Sequence, residues 1–195
     1  LSDTVRENAV GIRNSGKNLL AIINDILDFS KIESGKLYYA QEPYNLSSVI
    51  NDVVAMAMVR KGKKPIEVLV DCDSNMPAVL IGDEMRIRQI ITNLMGNAVK
   101  FTKEGRIKLT LRSEKSGTGV LLRVVVSDTG IGIREEDLKL LFEAFMRLDA
   151  KKNSSVEGTG LGLAITKRLV EGMHGELTIT SKYGEGSEFG FFIPQ

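Results

Sequence analysis

The 195-residue chain carries 26 Lys and Arg against 25 Asp and Glu, so it has no net field to gather nucleic acid or an anionic membrane surface. With 43% hydrophobic and 26% charged residues it can bury a core, which excludes a disordered or low-complexity chain. Its one cysteine, Cys72, excludes a disulfide framework and a cysteine-based zinc site and suits a reducing, cytoplasmic compartment; no apolar run approaches the roughly 20 residues that span a bilayer.

The chain opens on Leu1 without a signal-peptide pattern or an initiator Met, as expected of a fragment whose longer parent could be membrane-anchored. In residues 1 to about 37, Val5, Ala9, Ile12, Gly16, Leu19, Ile23, Ile26 and Ser30 recur at alternating steps of four and three, the seam of a helical bundle or coiled coil. Gly16 and Ser30 are poor knobs, and Gly16 costs about 1 kcal/mol relative to Ala in a helix interior, so this helix is expected to lean on a partner. Leu20, Ile22, Leu27 and Phe29 widen the apolar stripe, as expected where a helix meets more than one neighbour. Ser34-Gly35 ends it, which places a domain boundary near residue 40 and divides the chain into 1–38 and 39–195.

Beyond that boundary the pattern predicts a strand over 37–44, a helix from 47 to about 60, and strands over 66–72 and 78–81. A second helix follows, N-capped by Asp83 and running through Phe101. Residues 106–113 and 120–127 read as a hairpin around Lys115-Ser-Gly-Thr-Gly119. Residues 130–157 combine a short helix over 135–145 with the polar tract 149–157, which reads as a mobile lid. A third helix over 161–173, closed by Gly175, and strands over 176–181 and 187–193 complete the chain.

Three places carry chemistry. Asn93, Asn97 and Lys100 share one helix face and offer amide oxygens to a hard cation and a positive charge to phosphate, although the same spacing also describes a solvent face. Asp128-Thr-Gly-Ile-Gly132 follows an apolar strand; its carboxylate can accept a hydrogen bond from the exocyclic amine of adenine, while Gly130 and Gly132 allow close backbone approach, and the alternative is an Asx turn. Gly158-Thr-Gly160-Leu-Gly162 precedes the third helix, whose free amides would attract phosphate, and the alternative is a hinge. A dinucleotide fingerprint needs a preceding strand and another glycine offset, and no P-loop Gly-Lys-Ser/Thr is present. Together the three places make a complete set for gripping Mg²⁺-ATP.

The chain resembles the sensor histidine kinases of two-component systems. Asn93-Leu-Met-Gly-Asn97-Ala-Val-Lys100-Phe101-Thr102 is similar to their N box, Asp128–Gly132 to the G1 box and Phe142-Glu-Ala-Phe145 to the F box. Gly158-Thr-Gly-Leu-Gly162-Leu163 is similar to the G2 box, Gly184-Glu-Gly186-Ser187-Glu-Phe189 to a last glycine box, and Asn18 through Gly35 to the second helix of the dimerisation and phosphotransfer hairpin. The resemblance implies a two-layer α/β sandwich of the Bergerat (GHKL) type, a mixed sheet with three helices on one face, preceded by a long helix. It implies that Asp128 binds adenine beside Phe101, that Asn97 ligates Mg²⁺, and that Asn93 and Lys100 meet the phosphates. Gly130, Gly132, Ile133, Gly158, Thr159, Gly160, Leu161, Gly162 and Ser187 would line the nucleotide, and Arg147 would reach the terminal phosphate when the lid closes. The partners implied are a second copy, through the hairpin, and a receiver domain whose aspartate takes the phosphoryl group.

Relatives that hydrolyse ATP, such as gyrase, MutL and Hsp90, carry a glutamate base where this chain has Asn93, and an amide cannot take a proton from water; phosphotransfer is therefore expected. The acceptor box of the family is absent, and the only histidine, His174, sits at a helix end where a positive charge suits the dipole, so the acceptor is expected before Leu1. A nucleotide-binding regulatory or scaffold module is the alternative. An anti-sigma serine kinase shares the ATP fold but lacks a hairpin helix like residues 1–37.

Overall fold

The computed structural model of the chain describes residues 3–117, 119–146 and 159–195. Helix α1 (Asp3–Glu33) ends where Gly35 takes φ +65° and the Lys36 N–H donates to the Lys31 carbonyl, a left-handed closure that glycine adopts readily. Its seam residues Val5, Ile12, Leu19, Ile23 and Ile26 are exposed, Ile12 at 76%, so the rest of the described chain does not cover that stripe. Among the described residues no helix is long and apolar enough to cross a membrane.

Strand β1 (Glu42–Asn45) is shorter than the expected 37–44. Its antiparallel ladder with β3 (Val79–Gly82) spans four residues, and the segment before it is held differently, the Ala40 N–H donating to the Asp83 carboxylate at 3.0 Å. Helix α2 (Leu46–Lys61) starts where the Asn45 side chain accepts from the Ser48 N–H. Helix α3 (Glu84–Phe101) starts from Asp83, which accepts from the Arg86 N–H and is itself buried.

The sheet runs β2 (Ile66–Cys72), β4 (Gly105–Ser116), β5 (Gly119–Asp128), β7 (Gly186–Pro194) and β6 (Glu176–Lys182) in spatial order. The β2–β4 pair is parallel and the other pairs are antiparallel, so the sheet is mixed. Period-2 alternation sends Ile107, Leu109, Leu111, Leu122, Val124 and Val126 to one buried face and leaves Lys108, Arg112 and Arg123 on the other. On the polar face Arg112, then Lys108, hold the Asp71 carboxyl at about 2 by hydrogen bonding. That contribution to stability is present above the ordinary carboxylate range and is lost as the pH falls toward 2; exposure to solvent leaves it screened.

Helices α2, α3 and α5 (Gly162–Gly172) cover the apolar face, as the resemblance implied. In α3 the buried residues Ile87, Ile90, Ile91, Leu94, Met95, Ala98 and Val99 fall at steps of three and four, so one stripe is buried and the adjacent one is left for Asn93, Asn97 and Lys100.

Two helix ends differ from expectation. The α-helix α4 covers only Glu135–Leu138, after which the bonds tighten to i→i−3, such as Glu143 N–H to the Leu140 carbonyl. It has no buried residue, and Phe145 at φ +65° breaks the run, so nothing sustains a helix to 145. At the end of α5 the left-handed residue is His174 (φ +60°), not Gly175. Gly175 donates its N–H to the Val170 carbonyl, and a Cβ there would run into the Phe192 carbonyl; glycine is required for close approach to β7. Histidine tolerates this backbone at a cost that glycine does not incur, so His174→Gly is expected to raise stability by about 0.5–1 kcal/mol, read as a higher midpoint of thermal unfolding.

Candidate functional site

Asp128 is the last residue of β5, opposite Ile107 of β4 and Ser187 of β7. Burial pushes its carboxyl above the ordinary range, against the opposing pull of the Gly130 and Ser187 N–H groups and the nearby Thr102 hydroxyl. The Gly130 N–H donates to Oδ1 at 2.8 Å, so the Asx turn is present. A turn of that kind would be served by asparagine without burying a charge; a carboxylate held against desolvation points to a ligand.

The hydroxyl of Thr102 adds to this. It is fully buried and, though near the Asp128 carboxylate, reaches no partner in hydrogen-bond geometry among the described residues. The polar group it faces is the Asp128 carboxylate, whose pKa it lowers.

After Asp128 the chain turns sharply on glycine. Gly132 has φ +64°, and a Cβ there would run into the Lys182 carbonyl. The Ile131 N–H donates to the Phe101 carbonyl at 3.3 Å and the Ile133 N–H to the Ser181 hydroxyl at 2.9 Å. Ser181 in turn donates to the Gly186 carbonyl and meets the Ser187 hydroxyl at 2.9 Å, which fastens this turn to the β6–β7 hairpin.

On α3, Asn93, Asn97 and Lys100 are half-buried on one face. Asn93 Nδ2 donates to Thr166 Oγ1 of α5 at 2.9 Å, and its Oδ1 lies where a Cβ at Gly162 would come within 2.5 Å. Asn93 therefore ties α3 to the start of α5, and Gly162 makes room for it. The side chain of Asn97 has no hydrogen-bond partner among the described residues, so its oxygen is uncommitted. Lys100 Nζ lies 5.0 Å from the centre of the Phe101 ring, which is 37% exposed.

Helix α5 starts without an acidic residue in its first turn, and Leu161, its buried N-cap residue, offers no capping side chain. The N–H groups of Gly162, Leu163 and Ala164 belong to the first turn, where a helix has no carbonyl for them. Just before it, Thr159 Oγ1 accepts from the Leu161 N–H and donates to Asp25 Oδ2 of α1, each at 3.1 Å. Gly160, at φ +73°, packs against the backbone of Phe145 and Met146. Arg147, Gly158 and the tract 149–157 lie outside the described residues.

Helix α1 docks beside this region. Phe29 meets Phe145 edge-on at 6.3 Å, Asp28 pairs with Arg86 at 3.0 Å and accepts from Gln89 at 2.9 Å, and Glu33 pairs with Arg168 at 3.2 Å. Burial also raises the Asp25 carboxyl, against the Thr159 hydrogen bond that lowers it.

Four residues that the sequence did not single out enter the site: Thr102, Thr166, Ser181 and Asp25. Thr102 alone had a local signal, as the last residue of the segment similar to the N box, though no role was given to it; the others become neighbours only through long-range packing. A carboxylate and an aromatic ring, an ammonium, an amide without a partner among the described residues and a helix start without a side-chain cap are the groups a purine followed by phosphates requires.

The chain is similar to the signal transduction histidine-protein kinase BarA of Escherichia coli K12, 44% identical over 194 residues that make up 99% of this chain and 21% of that protein. It is also similar to the sensor protein GacS of Pseudomonas syringae pv. syringae, 44% identical over 179 residues, 91% of this chain and 20% of that protein. The chain thus spans about a fifth of the length of these curated relatives. Among solved structures, full-length ShkA in complex with AMPPNP superposes with a TM-score of 0.82 at 34% identity, covering 100% of this chain and 39% of that one. The family of histidine kinase-, DNA gyrase B- and HSP90-like ATPases matches residues 82–195, from the end of β3 to the end of β7, and this chain belongs to it.

Proposed function

We propose that the chain is the ATP-binding catalytic module of a sensor histidine kinase, which passes the γ-phosphoryl group of Mg²⁺-ATP to a histidine outside this sequence and thence to a receiver-domain aspartate. Residues 39–195 are the nucleotide-binding domain and residues 1–38 the second helix of the hairpin that dimerises and carries the acceptor; the exposed seam of α1 supports this division. The names of the relatives and the AMPPNP complex of ShkA support the kinase reading.

In this reading Asp128 accepts from the adenine amine and Phe101 flanks the base. Lys100 and the N–H groups at the start of α5 face the phosphates, with Gly130, Gly132, Ile133, Thr159, Gly160, Leu161, Gly162 and Ser187 shaping the walls. Gly158 and Arg147 keep the roles given by the resemblance. Mg²⁺ fits the donor present: the amide oxygen of Asn97, which has no hydrogen-bond partner among the described residues, is a hard ligand and would hold the ion. Bound there, the ion neutralises phosphate charge.

Asn93 is the observation that carries transfer over hydrolysis. Its amide is engaged with Thr166 and cannot act as a base. Water that attacks must shed a proton in the same step or directly after it, and an amide cannot take it; a neutral imidazole attacks through its nitrogen lone pair, the P–N bond forming as the bond to ADP breaks while the other ring nitrogen keeps its proton. The purified chain with Mg²⁺-ATP is therefore expected to release phosphate no faster than a protein-free control and to carry no acid-labile phosphate. Rapid release, or labelling of the chain, would overturn this.

A further inference from the structure

We infer that Lys64 is a positioning residue for the nucleotide site, a latch on the last turn of α3 that sets the directions of Lys100 and Phe101. The inference rests on the proposed placement of the nucleotide between α3 and the turn after β5.

A helix end leaves its last carbonyls without intrahelical donors, and many helices satisfy them by a left-handed closure. Helix α3 does not: its C-cap, Thr102, is extended at φ −97° and ψ 126°. The donors come from Lys64 instead. Its Nζ donates to the carbonyls of Val99 at 2.6 Å, Thr102 at 3.0 Å and Lys100 at 3.4 Å. The one carbonyl it skips, that of Phe101, accepts from the Ile131 N–H of the turn after β5. Four successive carbonyls are thus held, three by one ammonium and one by the loop that follows Asp128.

The latch is itself fixed. Lys64 lies in the turn between α2 and β2, where Lys61 Nζ donates to the carbonyls of Lys64 at 3.3 Å and Ile66 at 2.8 Å, and the Gly105 N–H donates to the Pro65 carbonyl at 3.1 Å. An ammonium has three donors, and Lys64 directs all of them to main chain. Its charge is therefore spent on α3 and not on a phosphate.

The held turn touches both ends of the site. Lys100 and Phe101 belong to it, and Gly130 sits so close that a Cβ would come within 2.6 Å of the Phe101 carbonyl oxygen. A shift of that turn displaces the ammonium, the ring and the loop carrying Gly130 together.

The test titrates wild type, Lys64→Met, Lys64→Arg and Asp128→Asn with ATP and with adenosine, following amide chemical shifts. Lys64→Met keeps the aliphatic stem and loses the donors; it is expected to weaken both ligands by about tenfold, with Lys64→Arg, which can still reach the carbonyls, restoring both to within about threefold. Should Lys64→Met not fold, Lys64→Gln, with one amide in place of the ammonium, is read in its place and is expected to weaken both ligands. Wild-type affinity for both ligands in Lys64→Met or its substitute overturns the inference, as does a loss confined to ATP, which would make Lys64 a direct phosphate contact. If Asp128→Asn binds like wild type, the placement of the nucleotide fails, a result distinct from failure of the latch.

Discussion

Asp128→Asn is expected to weaken ATP binding by roughly 100-fold, ~3 kcal/mol, and to shrink the preference for ATP over GTP, while leaving the fold at least as stable as wild type. The amide keeps an oxygen for the Gly130 N–H but places an NH₂ group toward the base, and loses the charge that strengthens a hydrogen bond from the adenine amine. The stability half of the prediction follows from the raised Asp128 carboxyl. A group whose folded-state pKa is raised contributes stability that is fully present below its unfolded value and is lost as the pH rises through the folded value. At neutral pH the ionised carboxylate is therefore a mild burden on the fold, retained for its ligand. ATP affinity needs the ionised form, so it should fall on acidification sooner than an ordinary carboxylate would dictate, and Asp128→Asn should abolish that dependence. Calorimetric titration across pH, with thermal unfolding of both proteins, checks each part; equal ATP affinity in the variant would remove Asp128 from the site.

The second large effect is expected at Gly132. Alanine there meets two obstacles at once: the left-handed backbone at φ +64°, which costs an L-residue about 1–2 kcal/mol, and the Lys182 carbonyl, which as main chain cannot swing aside. A loss beyond about 3 kcal/mol follows, roughly 6–12 °C in unfolding midpoint for a chain of this size, with ATP binding lost because the Ile133 N–H leaves Ser181. Gly184→Ala is the control. Its φ is +87°, but nothing lies within 4 Å of the new methyl, so only the backbone term applies. Equal effects of the two substitutions would show that the close approach to β6 does not matter.

These sites also show how far the amino-acid sequence could be read. Helix α3 was legible because its apolar residues repeat at three and four and Asp83 supplies a cap, both local facts. The β4–β5 hairpin was legible from two apolar runs around a glycine-rich turn. What was not legible is decided by distant neighbours. The shortness of β1 is set by the length of β3, and the end of α5 by the crowding of Gly175 against β7, which moved the left-handed residue to His174. The same holds in the site. The spacing of Asn93, Asn97 and Lys100 fixed their common face, but not that Asn93 would meet Thr166, 73 residues away, or that Asp25 would reach Thr159, 134 residues away. Lys64 gives no local sign of its bonds to the end of α3.

The fate of the γ-phosphoryl group tests the central claim most directly. The chain is incubated with Mg²⁺ and γ-labelled ATP, and a separate hairpin carrying the family's histidine box is supplied in trans. The account predicts acid-labile, base-stable label on that hairpin, dependent on Asp128, with little free phosphate. Label released as inorganic phosphate at the same rate with or without the hairpin, and none on the histidine, would contradict it.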